Sequence, residues 1–193
     1  MKLKLAKCIS VIGHPLLTIP LFVILVMFSS NDLHKAILVT LLIVGCVFVP
    51  AILIMYIKSK NGSYTNFEVS DRQQRKSMFL YILPLLVAVT LTLFITKQPT
   101  NICISVLFAT LLVFVSQLVN YFIKSSLHVS LNIYLSFLVA TVNFPIGFIL
   151  FLFTALLGWS RVALGRHSLK EVIVGCFLGL FVSVLMIYAE GYI

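Results

Sequence analysis

The run Ser160-Arg161-Val162-Ala163-Leu164-Gly165-Arg166-His167-Ser168-Leu169-Lys170-Glu171 gathers arginines, a histidine and a carboxylate between two apolar stretches. Guanidiniums hold anions, an imidazole attacks or carries a proton, and a carboxylate orients the imidazole. Ionisable groups are costly in lipid unless they pair, face water or do chemistry, so the run is a functional-site hypothesis. The plainer reading is a short basic loop among lipid headgroups. Glu171 follows His167 by one helical turn, which would let its carboxylate hold one ring nitrogen. Ser168 and Glu171 also match a capping box, in which Glu171 only closes a helix N-terminus, and the spacing favours neither role.

Two other segments carry matching chemistry. Lys124-Ser125-Ser126-Leu127-His128 offers a cation, two hydroxyls and a proton shuttle, although a lone His128 is more often an interfacial histidine with its hydrogen bonds met. In Ser70-Asp71-Arg72-Gln73-Gln74-Arg75-Lys76, Ser70 as N-cap with Gln73 matches a second capping box. Arg72 and Arg75 would then share one face of the first turn, beside exposed backbone N–H groups, an arrangement that suits phosphate. The competing account makes both arginines anchors that snorkel to headgroups.

These segments sit in a chain of 193 residues that is 61% hydrophobic and only 10% charged. A soluble domain carries roughly 25% charge, so the composition indicates an integral membrane protein. Apolar runs at 8–29, 34–57, 78–96, 101–123, 129–142, 144–159 and 169–189 predict an all-α, polytopic transmembrane bundle of about six to seven spans, with residues 1–193 as a single membrane domain. Asn143 and Pro145 suit a tight turn that caps the second of two short helices. The basic start, Lys2, Lys4 and Lys7, resembles a signal-peptide n-region, but the apolar run after it lacks a small-x-small cleavage site and is expected to be retained.

Counting crossings places 58–77, 124–128 and 160–168 on one face. That face collects Lys58, Lys60, Arg72, Arg75, Lys76, Lys124, Arg161 and Arg166 together with the N-terminal lysines, against Lys35 and Lys97 opposite. Positive-inside logic puts it in the cytoplasm. The net charge of +9 is therefore read as directed to anionic lipid headgroups, not nucleic acid. The acidic residues Asp32, Glu68, Asp71, Glu171 and Glu190 are scattered, and Cys8, Cys46, Cys103 and Cys176 lack paired spacing, so neither a metal nor another cofactor is expected. The cysteines read as small apolar packing residues. His14-Pro15 and Pro20 read as structural features of the first span. Gly175 and Gly179 form a small-xxx-small pattern for close packing within the bundle.

The third segment resembles the Ser-Arg-x5-His-x3-Asp motif of the type 2 phosphatidic acid phosphatase superfamily. It matches at Ser160, Arg161 and His167, with Glu171 replacing aspartate. The second segment resembles that family's Pro-Ser-Gly-His motif, keeping Ser126 and His128 while Ser125 and Leu127 replace proline and glycine. The family's first motif, Lys-x6-Arg-Pro, is missing, and Arg72 and Arg75 stand in for it on physical grounds alone. The likeness covers roughly the C-terminal third and marks the chain as a divergent member, in which substrate choice and activity are open.

The resemblance implies a catalytic core in which His167 attacks phosphorus and His128 protonates the leaving group. Glu171 would hold the tautomer of His167, and Arg161, Lys124, Arg72, Arg75, Ser126 and Ser160 would surround the phosphate. The expected activity is metal-independent hydrolysis of a lipid phosphomonoester or diphosphate through a phosphohistidine. Phosphatidic acid, phosphatidylglycerol phosphate, a polyprenyl phosphate or diphosphate and a lipid A phosphate all fit. The expected location is a bacterial inner membrane with the basic face cytoplasmic, opposite to the outward-facing sites usual among bacterial members. The alternative is a catalytically inactive relative that binds phospholipid headgroups, against which the retention of both histidines argues. A small transporter is a third reading, disfavoured because no carboxylate lies deep inside a predicted span and no inverted repeats are visible.

Overall fold

A computed structural model describes residues 2–30, 33–65, 69 and 71–191, and no strand occurs among them. The chain opens with α1 (Lys2–Ile12) and α2 (Pro15–Ser30), which meet at a 46° bend. Pro15 has no N–H to continue the ladder, and the residue before a proline is pushed out of helical geometry, so the break falls at Gly13-His14. A side chain at Gly13 would collide with Leu157 of the eighth helix, which accounts for the glycine. Pro20, by contrast, remains inside α2.

Next come α3 (Leu33–Ile43) and α4 (Val49–Lys60), joined without a loop by a π-helical turn, Val44–Phe48. Pro50 lies in the first turn of α4 and removes a backbone donor, and Val49 N–H reaches back to Val44 O. A widened turn just before a proline absorbs that missing bond. The next two helices, α5 (Arg72–Ile95) and α6 (Thr100–Asn120), pack as a pair. Asp71, not Ser70, caps α5, its carboxylate accepting from Gln73 N and Gln74 N at 2.9 Å. The capping box expected at Ser70 falls on a residue outside the described ones.

The last three helices are α7 (Leu127–Val142), α8 (Phe144–Ala163) and α9 (Leu169–Ala189). Asn143 caps α8 through Ile146 N at 3.1 Å, with Pro145 in its first turn, as the sequence predicts. Helix α7 is the hub, packing on α2, α8 and α9. A Cβ at Gly175 would lie 2.7 Å from Ser126 O and one at Gly179 would lie 2.8 Å from Ser130 O, so both glycines let α9 run against the backbone of α7. That places the small-xxx-small pattern inside the bundle.

Among the described residues, five helical stretches are long and apolar enough to cross a membrane, six if the bent α1–α2 pair counts as one span. This is fewer than seven because the first apolar run is broken and α7, at 16 residues, falls short of the roughly 20 that span a hydrocarbon core. The outer surface is apolar, exposing residues such as Leu41, Leu80, Ile95 and Phe177. The cysteines divide: Cys103 is buried, whereas Cys8 and Cys46 are exposed and so do not fill the core as expected. Among α2, α4, α5, α6 and α7 lies an apolar cavity of about 500 Å³.

Candidate active site

The three segments singled out in the sequence meet at one end of the bundle. Three long-range hydrogen bonds tie them together: Arg75 Nη1 donates to Ser125 O at 2.6 Å, Lys124 Nζ to Arg166 O at 2.8 Å, and Ser126 N to Glu171 O at 3.1 Å. The α8–α9 turn is shaped by the carbonyl of Arg161, which accepts from Arg166 N and His167 N. Gly165 supplies the positive φ, +65°, that the turn requires.

His167 is buried at the start of α9, and its two nitrogens have different neighbours. Nδ1 lies 2.7 Å from Glu171 Oε2, and Nε2 lies 3.3 Å from Arg75 Nη2. Arg75 can only donate, so the pattern assigns the proton to Nδ1, which donates to Glu171, and leaves a lone pair on Nε2. Burial, then the positive charges of Arg75, Lys124 and Arg161, hold the His167 imidazole far below its ordinary value of 6.5 and keep it neutral. Burial also lowers the Lys124 ammonium, partly offset by Glu171.

Glu171 does both jobs that the sequence left open. It forms a capping box with Ser168, its Oε2 accepting from Ser168 N at 3.3 Å while Glu171 N donates to Ser168 Oγ. The same oxygen takes the His167 proton and lies 3.8 Å from Lys124 Nζ. One carboxylate therefore fixes the helix start and the ring of the residue before it.

The cationic wall consists of Arg75, Arg161 and Lys124. Arg75 is 3% exposed and Arg161 2% exposed. Arg161 Nη1 donates to Ser10 Oγ at 2.6 Å, bringing α1 to the site. Arg75 Nε donates at 3.3 Å to the carbonyl of Val69, a buried β-branched residue held at φ +48°. A bulky residue at positive φ is strained, and here the strain turns a carbonyl toward the arginine. Among the described residues the carboxylate of Glu171 lies against this wall, 3.8 Å from Lys124 Nζ.

Two buried polar atoms in this cluster, His128 Nε2 and Ser126 Oγ, have no hydrogen-bond partner among the described residues. Ser126 is the N-cap of α7 but makes no side-chain cap, so its hydroxyl remains available. Buried polar groups are almost always paired, and an exception beside cations at a helix N-terminus suits an anionic ligand.

Two expected ligand-binding residues are turned elsewhere. Arg72 closes the end of α6, donating from Nε to Asn120 O at 2.8 Å and from Nη2 to Tyr121 O. Its guanidinium satisfies helix-terminal carbonyls instead of facing His167. Ser160 Oγ donates to Leu157 O at 2.7 Å within its own helix. The structure also adds His14, which the sequence reading left as structural: its ring meets that of His128 edge-on, with centroids 4.7 Å apart. Asn132 Nδ2 donates to both Gly13 O and His128 O, tying the α1–α2 break to the base of the site. The His14-Pro15 pair was the signal, since a helix broken inside an apolar run commonly serves a site.

Neither a protein-family model, nor a curated protein, nor a solved structure matches this chain.

Proposed function

We propose that the chain is a membrane phosphatase that hydrolyses a lipid phosphate through a phosphohistidine on His167. One observation carries this reading: the neutral His167 ring is held by Glu171 at 2.7 Å, with its lone pair directed into a cluster of cations. Charge at the site comes from guanidinium and ammonium groups, which hold a phosphate without a bridging metal.

In the proposed reaction the phosphate enters beside Arg75, which exchanges its contact with His167 Nε2 for phosphoryl oxygens. Arg161 and Lys124 share the remaining charge, and Ser126 Oγ donates a hydrogen bond. Nε2 attacks phosphorus as the bond to the lipid oxygen breaks, and protonated His128 gives that oxygen its proton. The dianion supplies the negative charge that favours the protonated form of His128. Glu171 stabilises the cationic phosphohistidine. Water then attacks phosphorus, His128 takes the water proton, and phosphate leaves with His167 restored. The proposed location is a bacterial inner membrane, with positive-inside counting favouring a site in the cytoplasmic leaflet.

A non-catalytic headgroup binder is the second reading, favoured by the engagement of the nucleophilic nitrogen by Arg75. Phosphate release from a panel of lipid phosphates, with chelator present, separates the two. Release by the wild type that His167→Ala and His128→Ala each abolish supports the phosphatase. Full activity of the folded His167→Ala protein overturns it, and headgroup binding without release selects the binder.

A further inference from the structure

We infer that the apolar cavity is a channel for the substrate's tail, so that a long hydrocarbon chain of the phosphate ester lies inside the protein and not in the bilayer. This rests on the phosphatase reading for the chemistry at the head, while the channel stands on its own geometry. The cavity begins at His14, Arg75 and His128 and ends at Ser105 and Glu190, with apolar walls between. A cationic mouth above an apolar shaft complements a molecule with an anionic head and a greasy tail.

The length of the cavity suits a long chain. Along α7 the lining runs from His128 to Thr141, about 20 Å at 1.5 Å per residue. Its volume of about 500 Å³ leaves room for a hydrocarbon chain along that length. The shaft is also longer than one leaflet, about half of a roughly 30 Å hydrocarbon core, so a tail inside it passes the midplane within the protein. At the far end Ser105 Oγ donates to the Glu190 carboxylate at 2.7 Å, and this polar floor stops an apolar chain. A long alkyl or isoprenyl tail fits a channel of this length and lining.

The direct test is equilibrium binding of octyl and hexadecyl phosphonates, with inorganic phosphate as a third ligand, to the full chain in nanodiscs. Ala109 lines the shaft about 16 Å from the α6 terminus at Asn120, so Ala109→Phe plugs it partway. Hexadecyl phosphonate should bind the wild type about tenfold or more tighter than octyl phosphonate. Ala109→Phe should erase most of that ratio, and the milder Ala109→Leu part of it. An unchanged ratio in a folded variant, or inorganic phosphate binding as tight as hexadecyl phosphonate, overturns the channel. Chain-dependent binding without turnover would sustain the channel and sink the phosphatase. Turnover without chain dependence would do the reverse.

Discussion

The bundle holds two buried polar clusters at opposite ends of one apolar cavity, and they differ in how completely their hydrogen bonds are met. At the far end Tyr134 Oη donates to Ser105 O at 2.5 Å, and Ser105 Oγ donates to Glu190. At the near end three cations surround His167, while His128 Nε2 and Ser126 Oγ are buried without partners among the described residues. A closed network stabilises a fold, because each desolvated group regains a bond. An open one costs stability and persists where a ligand completes it. The contrast singles out the near end as the candidate site on hydrogen bonding alone.

The sharpest way to break this contrast is to alter Glu171, which belongs to both kinds of network. Glu171→Gln keeps an oxygen for Ser168 N but gives His167 no charge to orient its proton. Loss of the correct tautomer should lower kcat by about 10²- to 10³-fold, with little change in thermal midpoint. Glu171→Ala removes the cap as well and should cost about 1 kcal/mol more in stability. Equal losses of stability in the two variants, with activity retained in the glutamine form, would make Glu171 a cap alone.

Arg72 and Arg75 repeat the comparison within one helical turn. Arg75→Ala strips a donor from the anion site and should cost about 10²-fold in kcat/KM. Arg72→Ala opens the end of α6, so it should cost about 1–2 kcal/mol of stability while shifting kcat/KM by less than about threefold. Steady-state kinetics with melting curves on both variants checks the pair. A large kinetic loss in a stable Arg72→Ala protein would return that residue to the site.

Legibility followed range. Apolar runs and Pro, Asn and Gly punctuation act over a few residues, so the helices, the Asn143 turn and the Gly175–Gly179 packing face could be read in advance. Parity needed only a count of crossings, and it foresaw that the three polar segments would meet. The partners of single side chains depend on contacts far along the chain and were not foreseeable. Arg72 found the carbonyls of Asn120 and Tyr121, and Ser160 found its own helix. Asp71 displaced Ser70 as cap by accepting two N–H groups at once. His14 joined the site only because α1 and α2 break where α7 begins, and the cavity is built by helices too far apart in sequence for any local pattern to reveal.

The smallest expected effect is the most specific. If cations outweigh Glu171 around His167, its imidazole stays neutral well below 6.5, whereas an unfolded chain takes up a proton there. The sign follows: above about 6.5 the ring is neutral in both states and adds no pH dependence. As pH falls below that value the unfolded state binds a proton that the folded state refuses, so stability declines by up to about 1.4 kcal/mol per unit. His167→Gln should remove this slope between pH 7 and 5 in melting experiments. In histidine-labelled protein, the ring signals lost in His167→Gln should hold the neutral position from pH 8 to 5. A midpoint between 6 and 7 would mean that Glu171 dominates, that the ring is cationic in mildly acidic solution, and that the lone pair assigned to Nε2 is taken by a proton.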